Sequence, residues 1–221
     1  MTVDQPFCTR RRFLNLGLVA GVVTVFAPDS WAQTERPTTP STILGPYYPV
    51  IRPLELDTDL TRLRGHRSRA KGQVIHVAGR VLSQRGEPLK SARVELWQAN
   101  AAGRYSHPSD PNPAPVDRDF QGYGVQITDQ EGRFRFTTIK PGPYPFEGGI
   151  RAPHLHFQVT GQEERRVTQM FFAGEDLNDQ DQVLKATPRR RESLIADVLP
   201  APADEDPATR VLQWDIVLRR G

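Results

Sequence analysis

The sequence predicts an all-β protein, an antiparallel β-sandwich with long active-site loops and few short helices. Three observations carry that prediction. Past the N-terminal segment the hydrophobic period is mostly two, the period of a half-buried strand. Turn signals rich in Gly, Pro, Asn and Asp recur between the alternating stretches, as they do in sandwiches. The 221 residues include 20 prolines, roughly twice the ~5% average usage, which leaves little room for long helices.

The chain opens with a segment of a different kind. Thr9-Arg10-Arg11-Arg12-Phe13-Leu14 leads a basic cluster into an uncharged apolar run over residues 14–26. That run is too short to span a bilayer as a helix, which needs ~20 residues. Pro28 and the pattern Ser30-Trp31-Ala32 follow, consistent with cleavage after Ala32. Paired arginines before Phe-Leu resemble a twin-arginine export signal. Residues 1–32 are therefore expected to be a signal and residues 33–44 a flexible, Pro-rich leader. Residues 45–221 form the folded domain. Such a signal predicts a periplasmic or extracellular product with no membrane contact after cleavage.

Residues 74–81 read as the first strand, with a Gly/Pro turn over residues 83–88. Residues 92–97 alternate as a half-buried strand. Residues 124–128 and 133–138 flank Asp129-Gln130-Glu131-Gly132, a hairpin signal. Residues 154–160, 167–172 and 211–218 bring these stretches to seven, in a fold expected to have about eight strands. Only residues 192–198, after Arg189-Arg190-Arg191, suggest a short helix. Residues 100–121 and 140–152 have no period. Compact domains avoid loops of that length unless they carry a site.

Charge and cysteine usage narrow the chemistry. Lys+Arg 29 against Asp+Glu 26 gives +3, spread along the chain, without the basic face a nucleic-acid binder needs. The one cysteine is Cys8, inside the expected signal. Disulfide frameworks, iron–sulfur clusters and Cys-rich zinc sites are thereby excluded. A metal here must use nitrogen and oxygen donors, and five His and five Tyr are available.

His154-Leu155-His156 lies in an alternating strand, so both imidazoles share one face while Leu155, Phe157 and Val159 share the other. The apolar set belongs in a core; the imidazoles form a pair of candidate ligands. His-x-His alone is a weak signal. Tyr105, in Gly103-Arg104-Tyr105-Ser106-His107, and Tyr144, in Pro143-Tyr144-Pro145, stand in the two long loops. Phenol ionises near ~10, so binding as phenolate calls for a strongly charged cation. Fe(III) is one; zinc and copper more often take thiolates, carboxylates or three imidazoles. Taken singly, either tyrosine reads better as a packing residue.

LWQANAAGRYSHP (96–108), ITDQEGRFRFTTIKPGPYP (127–145), RAPHLHFQV (151–159) and TQMFF (168–172) resemble the intradiol ring-cleavage dioxygenases, within them the protocatechuate 3,4-dioxygenase type. GPYYP (45–49) and RRESLIA (190–196) are similar to further stretches of the protocatechuate enzymes. The likeness runs in consistent order over essentially all of the chain after the signal. It implies one Fe(III) per chain, held by Tyr105, Tyr144, His154 and His156. It also implies cleavage of a catechol by O2, between the two hydroxylated carbons, to a muconate-type dicarboxylic acid.

Tyr144 matches the tyrosine that gives way to catecholate and assists its deprotonation. Arg151 matches the arginine beside the substrate, Gln169 a glutamine near the reacting centre, and Tyr47 a tyrosine at the pocket mouth. Read without the resemblance, Arg151 is equally a salt-bridge partner, Gln169 a group satisfying buried backbone, and Tyr47 a packing residue. His66 and His76 read as surface residues, His107 as a neighbour of the site, Tyr123 as loop packing, and Trp97 and Trp214 as core or interface.

Two departures bear on substrate. The interval between Tyr144 and His154 is shorter than the resemblance implies, and Phe146 stands where a tryptophan is common. Protocatechuate enzymes pair an iron-bearing with an iron-free subunit, whereas this chain has features of both. A homo-oligomer and a monomer are both open, as are catechol, hydroxyquinol and larger catechols as substrates. Two other readings compete: a periplasmic, transthyretin-like binding module without redox activity, and a zinc hydrolase built on the His pair.

Overall fold

The computed structural model describes residues 35–50, 55–147, 149–201, 203 and 206–220. The expected export signal lies outside them. The described chain is mostly β, as alternation predicts. Strand β1 (Val74–Ser83) is followed by β2 (Arg93–Trp97), β3 (Tyr123–Ile127) and β4 (Arg133–Ile139). A short hairpin, β5 (Tyr144–Phe146) and β6 (Gly149–Arg151), precedes β7 (His154–Thr160) and β8 (Arg165–Phe172). After one helical turn, α1 (Gln182–Lys185), come β9 (Ile195–Leu199), β10 (Arg210–Gln213) and β11 (Ile216–Leu218).

Apart from the β5–β6 hairpin, which pairs only with itself, the described strands form one path, β11-β1-β10-β9-β8-β7-β2-β3, with β4 on the other edge of β1. The pairing is mixed, which corrects the antiparallel expectation: β10 and β11 run parallel to β1, and β9 parallel to β8. Hydrophobic alternation fixes which face a residue takes, not the direction of a partner brought in from far along the chain. Although β4 and β7 lie far apart in that order, Phe157 of β7 touches Phe134 of β4 (ring centroids 6.0 Å) and Trp214 (5.2 Å). The sheet therefore curls around its core, which takes Leu155, Phe157 and Val159 from β7 and Val94 and Leu96 from β2.

Three local expectations change. The helix expected over residues 192–198 is instead a 3-10 turn, Pro188–Leu194, running straight into β9. The β-branched Ile195 and Val198 gain cross-strand partners there, Ile195 opposite Phe171 and Val198 opposite Leu212, and tertiary pairing outweighs local propensity. The loop at 140–152 contains the β5–β6 hairpin. His76 is buried rather than superficial, its Nδ1 3.0 Å from Thr137 Oγ1.

The expected leader is anchored from Arg36 onward. Arg36 N donates to Gln84 O (2.7 Å), Thr39 N to Val217 O (2.9 Å) and Thr42 N to Val167 O (3.0 Å). Val217 N donates in return to Thr39 Oγ1 (2.8 Å). The buried Arg166 holds Thr39 O, and Glu164 holds Arg166. Residues 36–45 thus form a strap across β8 toward the His154–His156 face.

Glu164 also accepts from Arg219 N (2.7 Å). Partial burial pushes its carboxyl up, but the Arg219 and Arg220 amides and the Arg166 guanidinium outweigh that and hold it below its ordinary 4.5. A carboxyl depressed in the folded state adds stability above its unfolded value and loses it as pH falls through the folded one. Glu164→Gln should therefore lower stability at pH 7 by about 1 kcal/mol. Denaturant melts of the two proteins should converge as the pH is taken below 4.5.

Candidate metal centre

The period of two sends Leu155, Phe157 and Val159 into the core and His154 and His156 to the opposite face of β7. That second face is also closed: both histidines are 2% exposed. Trp97 of β2, paired with His156 across the strands, stacks its indole on that imidazole (4.9 Å, 18°). The strap closes from the other side. Gly45, at φ +79°, passes so near that a Cβ there would sit 3.0 Å from His156 Cε1, which only glycine tolerates without moving the ring.

Two loops bring the phenols in. Tyr105 N donates to Asp110 Oδ2 (2.7 Å), an Asx-type anchor that fixes its backbone. Gly103, at φ +77°, lies against Pro143: a Cβ there would meet Pro143 O at 2.2 Å. The absence of a side chain at Gly103 is what lets the Tyr105 loop touch the Tyr144 loop. The two rings then meet edge to face at 5.6 Å.

The polar atoms converge. His154 Nδ1 lies 2.6 Å from Ala152 O, which can only accept, so the proton sits on Nδ1 and Nε2 presents a lone pair. That Nε2 is 3.2 Å from His156 Nε2 and 3.4 Å from Tyr144 Oη. Tyr105 Oη is buried with no protein partner, as is His156 Nδ1. Among the described residues no three His, Cys, Asp or Glu side chains converge, so the donors are two imidazoles and two phenols.

Burial sets their protonation. It lowers His154 to about 3, helped by the Arg151 guanidinium, and lowers His156 well below 6.5 with help from His154 and Arg151. The same desolvation raises Tyr105 well above 10.0 and also raises Tyr144, where Arg151 partly opposes it. Neutral imidazoles suit metal ligation. Phenols held this firmly in their neutral form ionise only against a concentrated positive charge. The donor set therefore fits a hard, highly charged cation.

Arg151 stands opposite Tyr144 in the β5–β6 hairpin and is 2% exposed. Its Nε donates to Asp181 Oδ2 (2.8 Å) and its Nη2 to Gln169 Oε1 (2.6 Å). Gln169 in turn donates from Nε2 to Ile43 O of the strap (3.1 Å). Gln169 thus braces Arg151 and also satisfies a backbone carbonyl. Tyr47 packs on Tyr105 (4.8 Å) and lies 6.4 Å from Tyr144.

The sequence reading missed two buried acids. Asp181 is 0% exposed; besides Arg151 it takes Ala152 N (3.0 Å) on Oδ2 and caps α1 through Oδ1 with Val183 N (2.9 Å). The signal was present, an Asp directly before an apolar helical turn. Glu95 accepts the hydroxyls of Tyr48 (2.8 Å) and Tyr123 (2.6 Å), and nothing local announced it. His66 pairs at the surface with Asp119 (2.8 Å).

Removing one member of a buried ion pair strands its partner at about 3–5 kcal/mol. Asp181→Asn keeps an oxygen to cap α1 but loses the charge facing Arg151. Chemical denaturation should show a loss of about 3 kcal/mol, and Asp181→Ala should lose more because the cap goes too.

A family profile described as dioxygenase matches residues 43–220. The protocatechuate 3,4-dioxygenase beta chain of Burkholderia cepacia is 41% identical over 169 residues, covering 74% of this chain and 72% of that one. Catechol 1,2-dioxygenase of Acinetobacter baylyi is 31% identical over 73% of this chain, which spans about half (53%) of that enzyme. The crystal structure of 3-chlorocatechol 1,2-dioxygenase from Rhodococcus opacus 1CP superposes with a TM-score of 0.65 at 25% identity, covering 84% of this chain and 74% of that one. With residues 43–220 matched and a relative above 40% identity, the chain belongs to the intradiol ring-cleavage dioxygenases, a family of oxidoreductases.

Proposed function

We propose that the protein cleaves a catechol-type diol with O2 to a muconate-type dicarboxylic acid, using one non-haem Fe(III) per chain held by Tyr105, Tyr144, His154 and His156. The observation that carries this reading is the approach of Tyr144 Oη, His154 Nε2 and His156 Nε2 to within 3.4 Å of one another or less along the chain Tyr144–His154–His156, with the unpartnered Tyr105 hydroxyl in the same buried cluster. Bound there, Fe(III) supplies Lewis acidity toward the catechol oxygens.

The chain's own groups supply the rest. Tyr144, whose phenol burial makes a weak acid, is by the same token a strong base at Oη once ionised, able to take up a catechol proton. Arg151 has Nε and Nη2 committed to Asp181 and Gln169. Its fixed guanidinium stabilises negative charge developing on the ring without reorganising. Trp97, the strap at Gly45 and Tyr47 keep water from the donors. We read the curled sheet as a two-layer sandwich, β3-β2-β7-β8 against β4-β1-β10-β9. Residues 1–32 are proposed as a twin-arginine signal, residues 45–221 as the catalytic domain, and the periplasm or the exterior as its location. A donor set complete within one chain supports activity without an iron-free partner subunit.

A metal-free binding module would leave Tyr105 Oη buried and unsatisfied, at about 1–3 kcal/mol. Nothing in that reading offsets the penalty.

Purified protein reconstituted with iron should be red-brown from tyrosinate-to-Fe(III) charge transfer; a protein that stays colourless overturns the reading. Tyr144→Phe should shift the visible band and slow catechol turnover by roughly 100-fold, followed by oxygen uptake, and an unmoved band refutes Tyr144 as a donor. Arg10→Lys with Arg11→Lys should hold the protein in the cytoplasm, read by cell fractionation.

A further inference from the structure

The two candidate imidazole donors are held by different means. His154 has its Nδ1 fixed on Ala152 O (2.6 Å). His156 turns its Nε2 to His154 Nε2 (3.2 Å), while its Nδ1 is buried with no protein partner. With both Nε2 lone pairs given to a metal, no hydrogen bond remains to set the turn of the His156 ring. Rotation about an imidazole's χ2 is only broadly restricted, and a metal-binding histidine normally has its second nitrogen held. We propose that Glu95 is a positioning residue for this donor, acting through Tyr48 and Trp97 to fix the plane of the His156 ring. This rests on the dioxygenase reading, since the donor it positions is one of the proposed iron ligands.

Stacking supplies what the missing hydrogen bond does not. Trp97, opposite His156 across β2 and β7, lies face to face on the imidazole (4.9 Å, 18°). The indole needs a restraint in its turn, because Trp97 Nε1 is also buried without a protein partner. Tyr48 provides one. Its ring meets the indole at right angles (5.0 Å, 88°), and an edge-to-face contact sets an angle as well as a distance because of the ring quadrupoles.

Tyr48 is only half-buried, and its hydroxyl is what ties it down, by donating to Glu95 Oε2 (2.8 Å). Tyr123, opposite Trp97 on β3, donates to the same oxygen (2.6 Å). Gln158 Nε2 donates to Glu95 Oε1 (3.1 Å), where Arg93 also pairs. A carboxylate offers about four acceptor sites, and donors from β2, β3, β7 and the segment after the strap take them up. Glu95 is accordingly 3% exposed yet fully partnered. Packing alone does not call for a buried carboxylate here, since apolar residues of similar volume fill such a space as well or better. Anchoring a phenol in one position against the indole does.

The consequence for the centre is directional. The Nε2 lone pair lies in the plane of the imidazole, so turning the plane turns the donor. Glu95 touches no donor itself; it fixes Tyr48, Tyr48 fixes the indole, and the indole fixes the ring. Outer contacts that orient a ligand in this way are typically worth 10–100-fold in metal affinity.

The test uses the full-length protein. Tyr48→Phe keeps the ring and removes its tether. In metal-free protein the His156 imidazole resonances, displaced upfield by the indole face, should move toward ordinary positions, while those of His154 stay. Iron(III) affinity, read by competition against a chelator, should fall roughly tenfold. Glu95→Gln should act in the same direction, and the double variant should be no worse than Glu95→Gln, because both substitutions break one relay. A melt confirms that each variant is folded; where Glu95→Gln is not, the Tyr48→Phe measurements decide alone. Unmoved His156 resonances or an unchanged iron affinity in folded Tyr48→Phe protein overturns the proposal. So do His154 resonances that move equally, and additive losses in the double variant. The two readings fail separately. A protein that binds no iron yet shows the Tyr48-dependent His156 shift sinks the dioxygenase reading alone. A red-brown, active protein whose His156 resonances and iron affinity ignore Tyr48→Phe sinks the relay alone.

Discussion

The buried carboxylate of Asp181 is the constraint on which the candidate site depends. One side chain caps α1, holds Ala152 N at the entrance to β7, and meets the Arg151 guanidinium. Arg151 passes the constraint to Gln169 on β8, and Gln169 passes it to Ile43 of the strap. Helical turn, hairpin, central strand and N-terminal strap are thus joined through groups that are almost wholly buried. A network like this is stable only when every member is satisfied, which ties the position of Arg151 to the fold itself and not to the preferences of a surface side chain.

Burial also explains why the candidate donors rest in a defined state. Desolvation suppresses both imidazolium and phenolate, so the protein alone keeps the cluster neutral. The price is a set of polar atoms without protein partners, Tyr105 Oη and His156 Nδ1 among them. Gly45 and Gly103 show how tightly the enclosure is drawn: each allows backbone to approach where any side chain would collide.

How much of this was legible in the sequence depended on range. Strand β7 was, because alternation over residues 154–160 is local and assigns core and donor faces without knowledge of partners. What covers the donor face was not: Trp97 arrives by strand pairing, Gly45 by the strap, and neither contact leaves a local trace. The strap itself looked disordered because Pro and polar residues carry no period, yet its backbone finds partners on Gln84, Val167 and Val217. Residues 192–198 looked helical because nothing local marks the strand partners of Ile195 and Val198, Phe171 on β8 and Leu212 on β10. The four donors could be named together only through resemblance; as isolated residues each had an ordinary packing alternative. Asp181 escaped even so, since its helix-cap signal says nothing of an arginine 30 positions earlier.

The Arg151–Asp181 pair also changes where selectivity must come from. A net charge of +3 offers little long-range attraction, and a lone guanidinium in the site would have been the natural receptor for an anionic substrate. Paired within hydrogen-bonding distance of a fully buried carboxylate, that guanidinium carries little net charge toward a distant anion. It retains directed N–H groups that respond to charge appearing close by. The same residue is therefore poor at recognising a carboxylate in the ground state and well placed to stabilise charge that develops during reaction. Differential stabilisation of that kind favours catalysis over binding. On the proposed reading it leaves discrimination among catechols to the shape of the site.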